Sequence, residues 1–208
     1  VNPSPQLLLT FAYSDGFGRE AQTKVQAEPD STGAPRWVGT GWTVYNNKGK
    51  PVRQFEPFFS ATHAFEFDLR RGVSPFVFYD PLQRVIATLK PDHSWEKVLF
   101  DPWRQTTHDA HDTVLMADPR TDPDVGHFFK LLPLVEWSPT WHAQRIGGTD
   151  AAERDAAQKS AAHANTPSVV HLDVLARPVL AVADLGSRTL KTRTSYDIQG
   201  NVLTITDP

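Results

Sequence analysis

The sequence predicts a mainly β chain: an antiparallel sheet of β-hairpins with a helical insertion at about 120–165. Three observations predict it. Aromatic residues make up 11% of the chain, and 17 Pro and 12 Gly punctuate it, the mix that short strands and tight turns need. A short phrase recurs along the chain: an aromatic, an Asp or Asn, turn residues, a basic or amide residue, then alternating apolar positions. Between two of its copies lies one Ala-rich stretch with helix signals.

The copies begin "YSDGFGREAQTKV" at Tyr13, "YNNKGKPVRQF" at Tyr45, "YDPLQRVIATL" at Tyr79, "FDPWRQTT" at Phe100 and "YDIQGNVLTI" at Tyr196. A worn copy, "LDVLARPVLAV", starts at Leu172. The starts are 32, 34, 21, 72 and 24 residues apart, so insertions separate them. Each slot has a physical reason. The leading aromatic ends a strand and offers a large packing surface. Asp80, Asp101, Asp173 and Asp197 (Asn46 in the second copy) cap the turn, because such side chains bond backbone two residues on. Pro81 and Pro102 fix φ at the next position. Gly18, Gly49 and Gly200 supply the positive φ that a tight hairpin or bulge requires. The return strand alternates, as with Val85, Ala87 and Leu89 against Ile86 and Thr88. Each copy is one hairpin, and a lone hairpin is marginal in water, so the copies must pair sideways.

From Phe100 to Leu172 the phrase stops. "TDPDVGHFFKLLP" places Asp and Pro before a short apolar run, and "SPTWHAQRI" offers Ser138 or Thr140 as a cap. "TDAAERDAAQKSAAHANTP" is the clearest helix: Asp150 as N-cap with Glu153 three residues on, ended by Asn165 and Pro167. Its apolar residues are all Ala, so it packs shallowly. The chain therefore reads as a sheet region over 1–119, an insertion over 120–166, and the same sheet continuing over 167–208.

Composition removes several function classes. There is no Cys, hence no disulfide scaffold and no thiolate chemistry. The formal charge of −3 leaves no basic face for nucleic acid. No apolar run reaches membrane-helix length, and the opening "VNPSPQLLLTFAY" lacks a signal peptide's basic start. It begins and ends mid-pattern, which reads as a piece of a longer chain. No phosphate loop, dinucleotide fingerprint or GxSxG elbow occurs, and no pair of carboxylates is singled out by spacing. No catalytic residue, cofactor or metal is expected. His108 and His111 form an HxxH; strand spacing puts them on opposite faces, poor for one ion, while a turn would let them converge, and this is set against the reading that they are solvated turn residues. Protonating all eight His would move the formal charge from −3 to +5, a count that raises a pH response, set against the reading that these are ordinary exposed histidines. Six Trp raise a second class, a carbohydrate- or cell-surface-binding β module, set against the reading that they pack.

The repeat resembles the YD repeats of Rhs proteins. Longer stretches, among them "RWVGTGWTVYNNKGKPVRQFEPFFSATHAFEF", "VSPFVFYDPLQRVIATLKPDHSWEKVLFDPWRQTT" and "AAHANTPSVVHLDVLAR", resemble the B component of insecticidal toxin complexes. That resemblance implies a section of a hollow shell, formed by B and C components from a long spiralling β-sheet. The shell encloses the toxic C-terminal part of the C component until an A-type channel delivers it. It also implies secretion, with the C-type and A-type components as partners of the full-length protein and no membrane contact here. The family's aspartyl protease and β-propeller lie in other segments and are not carried over. The residues it implies for the sheet are Tyr13, Tyr45, Tyr79, Phe100 and Tyr196 with Asp80, Asp101, Asp173, Asp197 and Gly200, all in structural roles.

Overall fold

The computed structural model describes residues 7–208; the start of the segment read for a leader lies outside them. Strands take up 36% of the described residues and helices 13%, in antiparallel sheets, so the mainly β class holds. Contacts divide the chain into a unit ending at Phe76 and a unit beginning at Val77. This division falls within the 1–119 stretch that the sequence reads as one region.

In the first unit, β1 (Thr10–Ser14), β2 (Glu20–Ala27), β3 (Arg36–Gly39) and β6 (Phe58–Ser60) form a four-stranded sheet in the order β1-β2-β3-β6. The hairpin of β4 (Thr43–Tyr45) and β5 (Pro51–Gln54) stands between β3 and β6 in sequence and pairs only with itself. The buried Trp37 ring anchors the sheet, with Phe11 edge-on at 5.5 Å and His63 at 5.4 Å. Edge-on contact suits the charge distribution of aromatic rings. Gly41 lies hard against the backbone beyond β5: a Cβ there would sit 1.8 Å from the Phe55 carbonyl oxygen.

In the second unit, β7 (Phe76–Tyr79), β8 (Val85–Leu89), β9 (Trp95–Phe100), β10 (Arg104–His108), β11 (Ser168–Leu172), β12 (Pro178–Asp184), β13 (Thr189–Tyr196) and β14 (Val202–Thr206) form one eight-stranded meander in sequence order. Each strand reverses the last, so alternate connections fall at opposite ends. The turns at Asp80, Asp101, Asp173 and Asp197 all lie at one end. At the other end are two short turns and the insertion, which joins β10 to β11. Although about 60 residues separate them, Arg104–Thr107 pairs directly with Ser168–His171.

The insertion carries a 3-10 turn (Pro119–Thr121), α1 (Gly126–Phe129), a second 3-10 turn (Leu134–Glu136), α2 (Trp141–Ile146) and α3 (Ala151–Ala161). Thr140 caps α2 by accepting from the Ala143 N–H, and Asp150 caps α3 by accepting from the Ala152 N–H. α3 stops four residues before Asn165, which turns the chain at φ +58 and donates its N–H to the Asp112 carbonyl. Only Ala157 and Ser160 of α3 are buried, the narrow stripe its small side chains allow.

The core of this unit lies between one face of β8 and β9 and the insertion. Ala87, Leu89 and Trp95 from the strands are buried, as are Val125, Phe129 and Trp137 from the insertion. Phe129 is fully buried, edge-on to Trp95 at 5.2 Å and tilted against Phe78 at 5.6 Å. Truncating it leaves a cavity in a close-packed interior. Phe129→Ala should cost about 3–5 kcal/mol, read as a fall in the urea midpoint followed by tryptophan fluorescence; an unchanged midpoint would show that the insertion does not seal this core.

Candidate functional site: a turn ladder and two buried lysines

The recurring turn is one piece of chemistry repeated. The Asp197 backbone N–H donates to the Asn201 carbonyl, and the Asp197 carbonyl accepts from the Gly200 N–H. Gly200 is left-handed at φ +93. The carboxylate Oδ1 accepts from the N–H groups of Gln199 and Asn201 at 2.9 and 2.8 Å. Asp15, Asn46, Asp80 and Asp173 show the same five-residue scheme, with Gly18, Gly49, Gln83 and Ala176 at the left-handed position. This is a type I turn closed by a bulge, the three-residue hairpin loop. The pairing register shifts at the turn in the copies led by Tyr13, Tyr45, Leu172 and Tyr196. The Asp101 turn is one residue shorter: its N–H donates to the Arg104 carbonyl.

The second carboxylate oxygen grips the residue that opens the return strand. Arg19 Nε reaches Asp15 at 2.6 Å, Arg84 reaches Asp80 at 2.7 Å, Arg177 reaches Asp173 at 2.7 Å and Arg104 reaches Asp101 at 3.2 Å. At Asp197 the Asn201 amide does this at 2.8 Å. The clamped guanidinium then lies over the leading aromatic of another copy. Arg19 covers Tyr45 at 4.5 Å, Arg84 covers Phe100 at 4.2 Å and Arg177 covers Tyr196 at 4.7 Å. Where that aromatic is Tyr its hydroxyl completes the link. Tyr45 donates to the Glu20 carbonyl at 3.2 Å and Tyr196 to the Pro178 carbonyl at 2.9 Å, in each case the residue after the arginine.

Thus the repeat is a ladder that joins one hairpin to the following one. It lapses at the insertion, where the next leading residue is Leu172. There the Leu172 N–H donates to the Trp103 carbonyl at 2.8 Å, and Arg104 stays half exposed. Tyr13 makes a different link, its hydroxyl donating to the His63 carbonyl at 2.7 Å with Phe65 beside the ring. Burial pushes the Tyr79 phenol up.

The turn carboxylates are all held below the ordinary Asp value. At Asp173 the Arg177 side chain is the main cause, at Asp197 the Asn201 side chain, and at Asp101 the Trp103 N–H. At Asp15 and Asp80 partial desolvation works the other way and is overridden by Arg19 and Arg84.

Two lysines that residue type alone would place in water point inward instead. On β2, Gln22 and Lys24 are fully buried, while Thr23 and Val25 on the opposite face are partly exposed. The Lys24 ammonium forms a very short ion pair with Glu66 and lies 4.6 Å from the Phe58 ring centre. Gln22 adds two bonds to the Glu66 backbone, donating to its carbonyl at 3.4 Å and accepting from its N–H at 3.0 Å. On β9, Lys97 is 7% exposed and donates to Asp122 and Asp124, both at 2.7 Å. The other oxygen of Asp122 accepts the N–H groups of Asp124 and Val125. Burial opposes both charges, yet these bonds raise the Lys97 value and lower that of Asp122. In each unit one inward lysine therefore pins a segment without strands: the loop after β6, and the start of the insertion.

The other sequence candidates are dispersed. His108 ends β10 opposite Lys97, whereas the His111 ring meets Ser160 Oγ at 2.8 Å. Among the described residues no three His, Cys, Asp or Glu gather as a metal site. Trp37, Trp95 and Trp137 are buried, and Trp103 is exposed at its turn.

Lys97→Met should cost about 3 kcal/mol, because it leaves Asp122 charged and buried without its partner. The urea midpoint measures this, and adding Asp122→Asn should return a large part of the loss. The turn carboxylates set an acid limit. Their folded values lie below the ordinary 3.8, so their contribution is complete above about pH 4 and is lost as pH falls through the folded values. Urea midpoints at constant ionic strength should drop between pH 4 and pH 2; a flat profile there would rule the clamps out as stabilising.

No model of a known protein family matches the sequence, and no curated protein matches it. Solved structures do. Over its whole length the chain matches the crystal structure of TcdB2-TccC3 with TM-score 0.68 and 22% identity, and that of TcdB2-TccC3-Cdc42 with 0.70 and 21%. Over 99% of its length it matches the Photorhabdus luminescens Tc holotoxin pore with the TccC3-D651A mutation, with 0.66 and 21%. The chain spans 9% of the length of each of these chains. The fold is thus that of a stretch of Tc toxin chain.

Proposed function

We propose that the chain is a non-catalytic stretch of wall in a toxin-complex shell of the B type. Through its full-length protein it would join a C-type component to enclose that component's toxic C-terminal part, and an A-type channel would deliver the cargo outside the producing cell. The observation that carries this reading is the fold likeness to Tc toxin chains over the whole chain. The turn ladder supports it, since it is the geometry a YD repeat needs to extend a sheet hairpin by hairpin. The recurring aspartates are each engaged by their own turn, which leaves them structural roles rather than chemical ones. The sugar-binding alternative loses its basis where Trp37, Trp95 and Trp137 pack inside.

The test is protection of cargo. The full-length protein that contains this chain is expressed with its C-type component, and the complex is digested gently. The C component's terminal segment should survive intact and be cut once the complex is denatured. Immediate degradation of that segment, or two components that never associate, would overturn the proposal.

A further inference from the structure

His108 is the last residue of β10, at the point where the chain leaves the sheet for the insertion. In the strand register it stands directly opposite Lys97. The imidazole is partly buried beside the ion cluster that pins residues 119–129 to the sheet. The charged groups around it come from three elements. Lys97 faces it from β9, Asp122 and Asp124 from the start of the insertion, and Asp112 from the turn after β10. Asp109, next in sequence, uses its carboxylate on the N–H groups of His111 and Asp112.

These carboxylates are already committed. Asp122 accepts from Lys97, Asp124 and Val125, and Asp124 accepts from Lys97. Asp112 accepts from the Asp109 N–H and from the N–H and hydroxyl of Thr166. A second cation at His108 lies across the strand from the lysine, whose carboxylate partners are the ones that hold the insertion. Like charges directly opposite in an antiparallel pair are destabilising. We propose that His108 makes the docking of residues 119–129 acid-labile: protonation of its imidazole sets a second positive charge against Lys97 and loosens that lysine's hold on Asp122 and Asp124.

The pH window is distinct from that of the turn aspartates. Burial first, and then the Lys97 charge, hold the imidazole below its ordinary 6.5; Asp112, Asp122 and Asp124 pull the other way without reversing this. A histidine lowered by folding contributes fully above about pH 6.5, and that contribution is lost as pH falls through its folded value. Asp122 is itself held below 3.8, so it stays ionised through this window. His93 and His111 contact Pro139 and Ser160, whereas His127 lies within the 119–129 segment, its ring 4.0 Å from that of Phe128, so the comparison with His108→Gln is what separates the two imidazoles.

Hydrogen exchange followed by mass spectrometry tests this on the 208-residue chain between pH 7 and pH 4.5, after correction for the intrinsic pH dependence of exchange. Peptides covering 119–129 should show an opening constant that rises about tenfold over that range, while peptides of β12 and β13 stay level. In His108→Gln the rise should vanish. A rise of the same size in His108→Gln, or none in the wild-type chain, overturns the proposal. Should the variant fail to fold, the NMR titration of His108 in the wild-type chain decides. Its midpoint must coincide with that of the opening; an opening midpoint near or below 4 assigns the effect to the carboxylates and overturns the proposal.

Discussion

The structure depends on one interaction, the clamp between a turn aspartate and the arginine that opens the next strand. One oxygen of the carboxylate fixes the turn backbone, and the other fixes the guanidinium. An arginine held this way loses the side-chain freedom it would otherwise give up on stacking, so its flat face is already oriented for the next aromatic. Turn, register and attachment of the next hairpin then follow from a single side chain. A sheet without this device would have little but alternating strands to set register, and the last two strands bury few large apolar groups. β13 and β14 show this: most of their residues are polar or exposed.

A second constraint governs the inward face. An ammonium that must be buried needs partners, and the nearest strands offer none, so each unit recruits carboxylates from a segment outside its sheet. Such a pair adds little stability when compared with an apolar core, but it specifies which segment docks and where. Trp95 and Phe129 supply apolar contact at the second site, while Lys97 and Asp122 supply the address.

Much of the sheet was legible in the sequence, and for local reasons. Asp-Pro and Asp-x-x-Gly steps report turn geometry directly, because the bonds they make span four residues or fewer. The caps at Thr140 and Asp150 were legible on the same ground. What could not be read was the partner of each arginine, which lies on another hairpin. Gln83 and Ala176 also escaped notice, since neither is a residue expected at positive φ. The inward lysines were hidden more deeply. On β2 the alternation of Ala21, Thr23 and Val25 against Gln22, Lys24 and Gln26 points the wrong way, and only Glu66, some forty residues distant, reverses it. On β9 the presence of Lys97 between Trp95 and Leu99 was a visible anomaly, but its answer lay in "TDPD" within the insertion.

The clamped turns of the second unit all fall at one end of its eight-stranded sheet, and the insertion falls at the other. Each arginine clamp at Asp15, Asp80 and Asp173 closes on residues within its own turn and reaches forward to the ring of another copy. Nothing in it registers how many hairpins came before. The width of such a sheet is therefore a whole number of steps, each of about 10 Å, and duplication or loss of one phrase in the gene changes it by one step without disturbing the others. Loops at the unclamped end are free to lengthen into new domains. A chain written this way separates two kinds of heritable change: the extent of the surface is altered by copying, and its decoration by insertion.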